Sequence, residues 1–215
     1  MGIKNKWLRI NPYSRWILQK KRKKLQKCNI TILASNCLGG LLYHTYQLKF
    51  LSPLVNTRID SKEFVKFILN FNHYINQPLQ FISTEEPFPV ALLDDITINF
   101  VHYHTQKEAE NKWNERKKRI DLNNAFVILN DCDGITQDDL NLLDRSSFKN
   151  IIVFTAQPYS NPCAFQLPQF NNQSHVGNTM LKNWINGKMV VEQSFDFAGW
   201  FNQDKGEDLE NYRIQ

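Results

Sequence analysis

Residues 31–40 read TILASNCLGG. An apolar run stops at Ser35-Asn36-Cys37 and then meets Gly39 and Gly40. A cysteine in the first turn of a helix sits in partial positive charge, which stabilises a thiolate. Glycines beside it leave backbone amides open to an oxyanion. The stretch therefore suits nucleophilic catalysis by Cys37, with Asn36, Gly39 and Gly40 stabilising the oxyanion. Ser35 is a rival nucleophile whose plainer role is helix N-cap. The plainer reading of the whole is a buried cysteine in a tight turn, with glycines for close packing.

A thiol needs a base. ITINFVHYH (96–104) alternates strictly, so Ile96, Ile98, Phe100, His102 and His104 share one face of a strand. Two imidazoles at the end of that row fit a general base, with His102 in that role and His104 in the binding set. Asp131 and Asp133, in NDCDG after the apolar run AFVILN, are placed to orient the imidazole. Their plainer use is in turns, with Gly134. Thr155, Gln157 and Tyr159 follow the strand at 150–154 and complete a substrate-binding set. Asp94 and Asp95 lie a strand's length from His102 and are assigned to the turn between VALL and ITINF.

A mononuclear metal site built from His102, His104 and Asp131 is an alternative use of the same residues. The cysteines at 28, 37, 132 and 163 show no CxxC and no metal-ligand spacing, which points to a reducing compartment. Neither GxGxxG nor GxxxxGK[ST] is present, so standard dinucleotide and P-loop binding are unsupported. The charge cluster WNERKKRI (113–120) reads as a solvated helix face that could also receive phosphate.

These tips must be brought together by the fold. Strand signals at 29–34, 79–83, 96–104, 125–130 and 150–156 alternate with helical segments. Asp60-x-x-Glu63, Thr105-x-x-Glu108 and Thr136 open helices as capping residues. Crossovers of this kind predict an α/β fold: a three-layer, mostly parallel Rossmann-like sheet with helices on both faces. In such a sheet, ligands bind beyond the carboxyl ends of the strands. Four parallel tips would then gather a thiol, two imidazoles and two carboxylates at one rim.

The chain has 215 residues and a formal net charge of +5. Ten of its 26 Lys and Arg residues lie in 1–27, and no acidic residue precedes Asp60. The remainder is acidic. This divides the chain into a basic N-terminal arm (1–27), a single α/β domain (28–203) and a polar tail (204–215). In the arm, an amphipathic helix from Ser14 would set Trp and Leu at a headgroup boundary with cations facing anionic lipid; the plainer reading is a solvated tail or a helix packed on the domain. Nucleic acid is a poor partner for the acidic body. No stretch is long and apolar enough for a transmembrane span, and no signal-peptide h-region is evident. The expected location is cytoplasmic, peripheral at the inner membrane.

Taken together, ASNCLGGLLYH, PVALLDDITINFVHYHTQKEAENKWNERKKRI, FVILNDCDG and FKNIIVFTAQPY resemble a bacterial family known as domain of unknown function nineteen-nineteen. Its members are often labelled exopolysaccharide biosynthesis proteins. The likeness runs from about Asn29 to Asn202. The family pattern Ser-Asn-Asn-Cys-Trp-Gly-Gly stands here as Ala34-Ser35-Asn36-Cys37-Leu38-Gly39-Gly40, so the first serine, the first asparagine and the tryptophan differ. The His-Tyr step matches at His102-Tyr103, Asp95 also matches, and His104 replaces an expected lysine. The resemblance implies a role in building or decorating surface polysaccharide. The corresponding expectation is an O-acyltransferase with a Cys37 nucleophile, an acyl donor such as acetyl-CoA, and a glycan or nucleotide-sugar substrate. The alternatives are a metal-dependent glycosyl- or phosphosugar-transferase, with Asp131 and Asp133 on the metal, and a non-catalytic membrane-associated adaptor.

Overall fold

The computed structural model describes residues 12–183, 185–203 and 206–214. In chain order the elements are α1 (Pro12–Lys24), β1 (Thr31–Ala34), α2 (Leu38–Tyr46), α3 (Ser61–Leu69), α4 (Phe71–Asn76), β2 (Gln80–Ile82), β3 (Val90–Leu93), β4 (Ile96–Asn99), α5 (Gln106–Lys117), β5 (Ala125–Asn130), α6 (Gln137–Leu143), β6 (Asn150–Thr155), β7 (Ala164–Gln166) and α7 (Phe197–Asn202).

The unbroken apolar runs form the central sheet, because a parallel strand covered on both faces needs no polar side. β1, β5 and β6 are buried at every position. Their order with β7 is β1-β5-β6-β7, and all three pairings are parallel. Ile32, Phe126, Ile128 and Phe154 point to a layer containing α2 and α7, where they meet Leu42, Trp200 and Phe201. Leu33, Val127, Leu129 and Val153 point to the opposite layer, with Phe64, Ile98, Trp113 and Leu140. The protein is thus α/β with cover on both faces of a four-stranded parallel sheet.

The expectation of one mostly parallel sheet is corrected at residues 80–104. β2, β3 and β4 form a separate antiparallel sheet. Only Asp94 and Asp95 join β3 to β4, with Leu93 paired to Ile96 and Asp94 at φ 59°. Two residues can close a hairpin but cannot carry a crossover. Strict alternation fits this sheet, which has one face on the core. The strand also ends at Asn99, not at 104. Past it, a turn in which the Tyr103 amide donates to Phe100 O puts Phe100 and Tyr103 inside, while His102 and His104 are exposed.

The segment read as a basic arm carries α1, which packs on α2 and α7. Ile17 and Ser14 face inward. Lys21 Nζ pairs with the buried Glu192 at 2.6 Å, and Arg22 Nε donates to Thr45 O at 2.9 Å. Residues 1–11 of that arm lie outside the described residues. In the stretch read as a polar tail, Leu209 and Tyr212 are buried. Among the described residues, no helix is long and apolar enough to cross a membrane.

The two glycines of α2 allow close approach. A Cβ on Gly39 would lie 2.9 Å from Ala34 Cβ and 3.4 Å from Ile32 Cγ2. On Gly40 it would lie 3.1 Å from Asn56 Oδ1. Helix propensity alone favours alanine over glycine by roughly 0.5–1 kcal/mol. Gly39→Ala is nonetheless expected to destabilise by about 1–3 kcal/mol, because Ala34 Cβ is fixed to a strand and cannot yield. Urea unfolding checks this; a midpoint equal to or above that of the parent chain would show that α2 does not press on β1.

Candidate functional site

β1 and β5 are neighbours, yet the chains that leave them diverge. After Ala34 the chain enters α2 in one layer; after Asn130 it runs to α6 in the other. A crevice opens between adjacent parallel strands whose connections part in this way. It measures about 310 Å³ and is lined by Ser35, Asn36, Arg58, Ile59, Ser61, Asn130, Cys132, Asp133, Gly177, Asn178, Thr179 and Met180. Six of the twelve lining residues carry a hydroxyl or a carboxamide, beside one carboxylate and one guanidinium, and much of the remaining surface is apolar.

The returning chain shapes the crevice. The Ile59 amide donates to Ser35 O at 2.8 Å, which brings α3 to the rim. Ser61, the first residue of α3, donates its amide and its hydroxyl to Asp133 Oδ2, both at 3.1 Å. Its hydroxyl is also placed to donate to Asn130 O at 2.9 Å. Arg58 lies 3.0 Å from Asp60 and 3.6 Å from Asp133 Oδ1. Asp133 therefore caps α3 from the far side of the crevice, where its negative charge also suits the helix N-terminus. Asp60 makes no such cap.

Asn130 is the distinctive member. It is 3 % exposed, and its Nδ2 donates to Thr179 Oγ1 at 3.4 Å. Its Oδ1 has no hydrogen-bond partner among the described residues. A buried carboxamide oxygen without a donor costs about 1–3 kcal/mol, so Asn130 is the least satisfied polar group among the crevice residues. Thr155 Oγ1 is likewise buried and unpartnered at the end of β6, outside the crevice lining.

Of the residues read from the sequence as a site, the structure gathers Ser35, Asn36 and Asp133 in this crevice. Asn36 Oδ1 accepts the Leu38 amide at 3.0 Å, so it caps the first turn of α2. Cys37 does not line the crevice. Its Sγ sits 4.0 Å from Thr57 O, and burial pushes the thiol up, opposite to the expected thiolate stabilisation. Gly39 and Gly40 are buried against β1 and the 55–56 segment, so packing replaces the expected oxyanion role.

Asp131 is a buried fastener. Its Oδ2 accepts the Ala156 amide at 2.8 Å and its Oδ1 accepts the Val176 amide at 2.6 Å. Burial raises its pKa, against the pull of those two donors. It orients no imidazole. His102 makes no hydrogen bond or ion pair among the described residues. His104 lines a separate shallow depression with Ile82 and Pro87, and its amide donates to Glu108. Gln157 donates to Asn171 O and Gln173 O, and Tyr159 donates to Ile135 O. Both tie loops to the body. Among the described residues, no group of three His, Cys, Asp or Glu side chains is arranged to hold a metal ion.

Sequence reasoning missed Arg58, Ser61 and the 177–180 stretch, which reach the crevice by long-range folding with no local pattern to mark them. It also passed over Tyr103. That residue, not His102, points inward: its hydroxyl donates to Val55 O at 2.9 Å and accepts from the buried Arg116 at 2.6 Å.

Residues 11–202 match the family described as Domain of unknown function (DUF1919). A relative from Haemophilus influenzae, described as "Uncharacterized protein", is 35 % identical over 195 residues, covering 90 % of this chain and 94 % of the relative.

The burial of Cys37 makes a direct prediction. Iodoacetamide should alkylate Cys37 more slowly than a free small-molecule thiol at pH 7.5, and its rate should climb only above the ordinary thiol range. His102→Ala should leave that profile unmoved. Peptide-resolved mass spectrometry reads both; a Cys37 that outruns the free thiol at neutral pH would restore it as a nucleophile.

Proposed function

This chain belongs to the DUF1919 family, and we propose that it is a transferase acting on a saccharide precursor of surface polysaccharide, held in the crevice between β1 and β5. The observation that carries this reading is the buried, donorless Asn130 oxygen at a crevice where hydroxyls and carboxamides alternate with apolar surface. A sugar presents many hydroxyls, each able to donate and accept, and Ser, Asn, Thr and Asp are complementary to it. The volume of about 310 Å³ is at the small end of ligand pockets and suits one sugar ring or a little more. Ile59 and Met180 supply apolar surface for a ring face. The surface-polysaccharide context rests on the labels commonly given to members of the family.

Direct group transfer to or from the bound sugar is favoured over a relay through Cys37. The thiol is pushed up by burial, and no imidazole is hydrogen-bonded to it among the described residues. Arg58, exposed at the crevice mouth beside Asp133, is the group placed to meet a phosphate on an activated sugar. Asp131 is already committed to two amides, so serving as a ligand in a metal-dependent route would mean releasing Ala156 and Val176.

The test is a thermal-shift and calorimetric panel of nucleoside-diphosphate sugars, hexoses and N-acetylhexosamines against the full chain. At least one member should stabilise it. Asn130→Ala should weaken that compound about five- to tenfold, the worth of one neutral hydrogen bond. Arg58→Gln, an exposed change that leaves the core intact, should weaken only the phosphorylated sugars. A panel with no binder, or a binder indifferent to both variants, would overturn the assignment.

A further inference from the structure

Seven large apolar side chains stand exposed among the described residues, and their distribution is uneven. Tyr13 (51 %), Trp16 (49 %) and Ile214 (38 %) line one depression, and Leu181 (60 %) and Ile185 (49 %) belong to the adjoining 181–190 turn. That depression holds about 500 Å³ and also contains Lys20, Lys21, Lys24 and Lys188. The turn reaches α1 directly, since a Cβ on Gly187 would lie 3.4 Å from Ser14 Cβ.

The outward face of α1 is a stripe. Tyr13, Trp16, Lys20 and Lys23–Lys24 follow at helical spacing, while Ser14, Ile17 and Lys21 turn inward. Tyr13 and Trp16 stack at 6.0 Å, and Lys20 Nζ sits 4.1 Å over the Trp16 ring. Lys21 and Lys24 are paired with Glu192 and Asp196. Lys20, Lys182 and Lys188 make no ion pair among the described residues. The face therefore combines uncompensated positive charge with aromatic and aliphatic tips.

We propose that the outward face of α1, with Leu181, Ile185, Lys188 and Ile214, is a docking surface for an anionic phospholipid bilayer. Tyr and Trp settle at the headgroup level, with the ring in the apolar zone and the polar edge in water. Lysines at the same height meet lipid phosphates and gain about fivefold in binding each. An acidic protein would also satisfy the cations. The apolar tips, however, stand on three separate segments with lysines between them, a spread suited to a fluid interface more than to one complementary protein groove. This inference is independent of the saccharide reading and concerns a different face.

Sedimentation of the full chain with phosphatidylcholine vesicles containing 30 mol % phosphatidylglycerol tests it, with pure phosphatidylcholine as control. Binding should appear only on the anionic vesicles and should fall at least tenfold in 0.5 M salt. The Y13A/W16A double variant should cut binding at least tenfold, and K20Q/K188Q should do so by about 25-fold. Both sets lie on the surface, so unchanged circular dichroism certifies the fold. Tryptophan emission should shift to the blue on vesicles, and W16F should reduce the shift. Equal sedimentation with both lipids, or vesicle binding untouched by Y13A/W16A, would overturn the proposal. So would a chain that ignores vesicles but self-associates through this face.

Discussion

The polar rim depends on one constraint: β1 and β5 pair in parallel while the chains leaving them turn to opposite layers. The last rung between them is the Ser35 amide on Ile128 O, at 3.1 Å. Beyond it the two backbones part, and the groups at the strand ends lose their ladder partners. Side chains and the returning 57–61 segment must then supply the missing bonds, because buried backbone groups are rarely left unpaired. Ile59 on Ser35 O and Ser61 on Asn130 O do this at the two strand ends. The crevice remains because these bonds close its edges and not its middle.

Two aspartates separated by one residue divide the labour. Asp131 points back into the body and accepts two amides, one beyond β6 and one from the 171–180 loop. Asp133 points forward and caps α3. Each bond is charge-assisted, worth about 1.5–3 kcal/mol when both partners are held. Asp131 reaches its two donors only by giving up water, and its raised pKa records that cost. Between them the two carboxylates fix two walls of the crevice, the 177–180 stretch and the start of α3, and Asp131 also ties the chain leaving β5 to the backbone just past β6. The side chain that sits among those walls, Asn130, is left with an oxygen that no wall satisfies.

The sequence made some of this legible and hid the rest for definite reasons. Unbroken apolar runs identified β1, β5 and β6, because strands covered on both faces tolerate no polar side. Thr136 and Thr105 marked the helix starts correctly, since an N-cap is local chemistry: each side chain accepts an amide of its own first turn, from Asp139 and Glu108. Asp60 fits the same pattern, yet its helix is capped by a residue 72 positions away, which no local pattern reveals. The hairpin of β3 and β4 was readable from the two-residue link, and extending the alternation through 104 obscured it. That extension carried His102 and His104 to the wrong side. Once the strand becomes a turn, Phe100 and Tyr103 share the inner face and the imidazoles go to solvent. The crevice itself has no sequence signature, because its walls meet only in the fold.

The docking of α1 sharpens the question its charge raises. Ion pairs in partly buried positions add little net stability, since desolvation offsets attraction; the lowered pKa of Lys21 reflects that burial. What fixes α1 is the packing of Ile17 and the backbone acceptors for Arg22 and Lys27. Among the described residues, Lys21, Arg22 and Lys24 contact the body through the pairs described above. Lys20 and Lys23 contribute nothing of that kind to folding, and self-repulsion along a helix so rich in lysine works against it. Their energetic consequence therefore falls on whatever meets the outer face. Trp16 amplifies it: a large ring held half in water beside a lysine gains more from leaving water than any other contact that face can make.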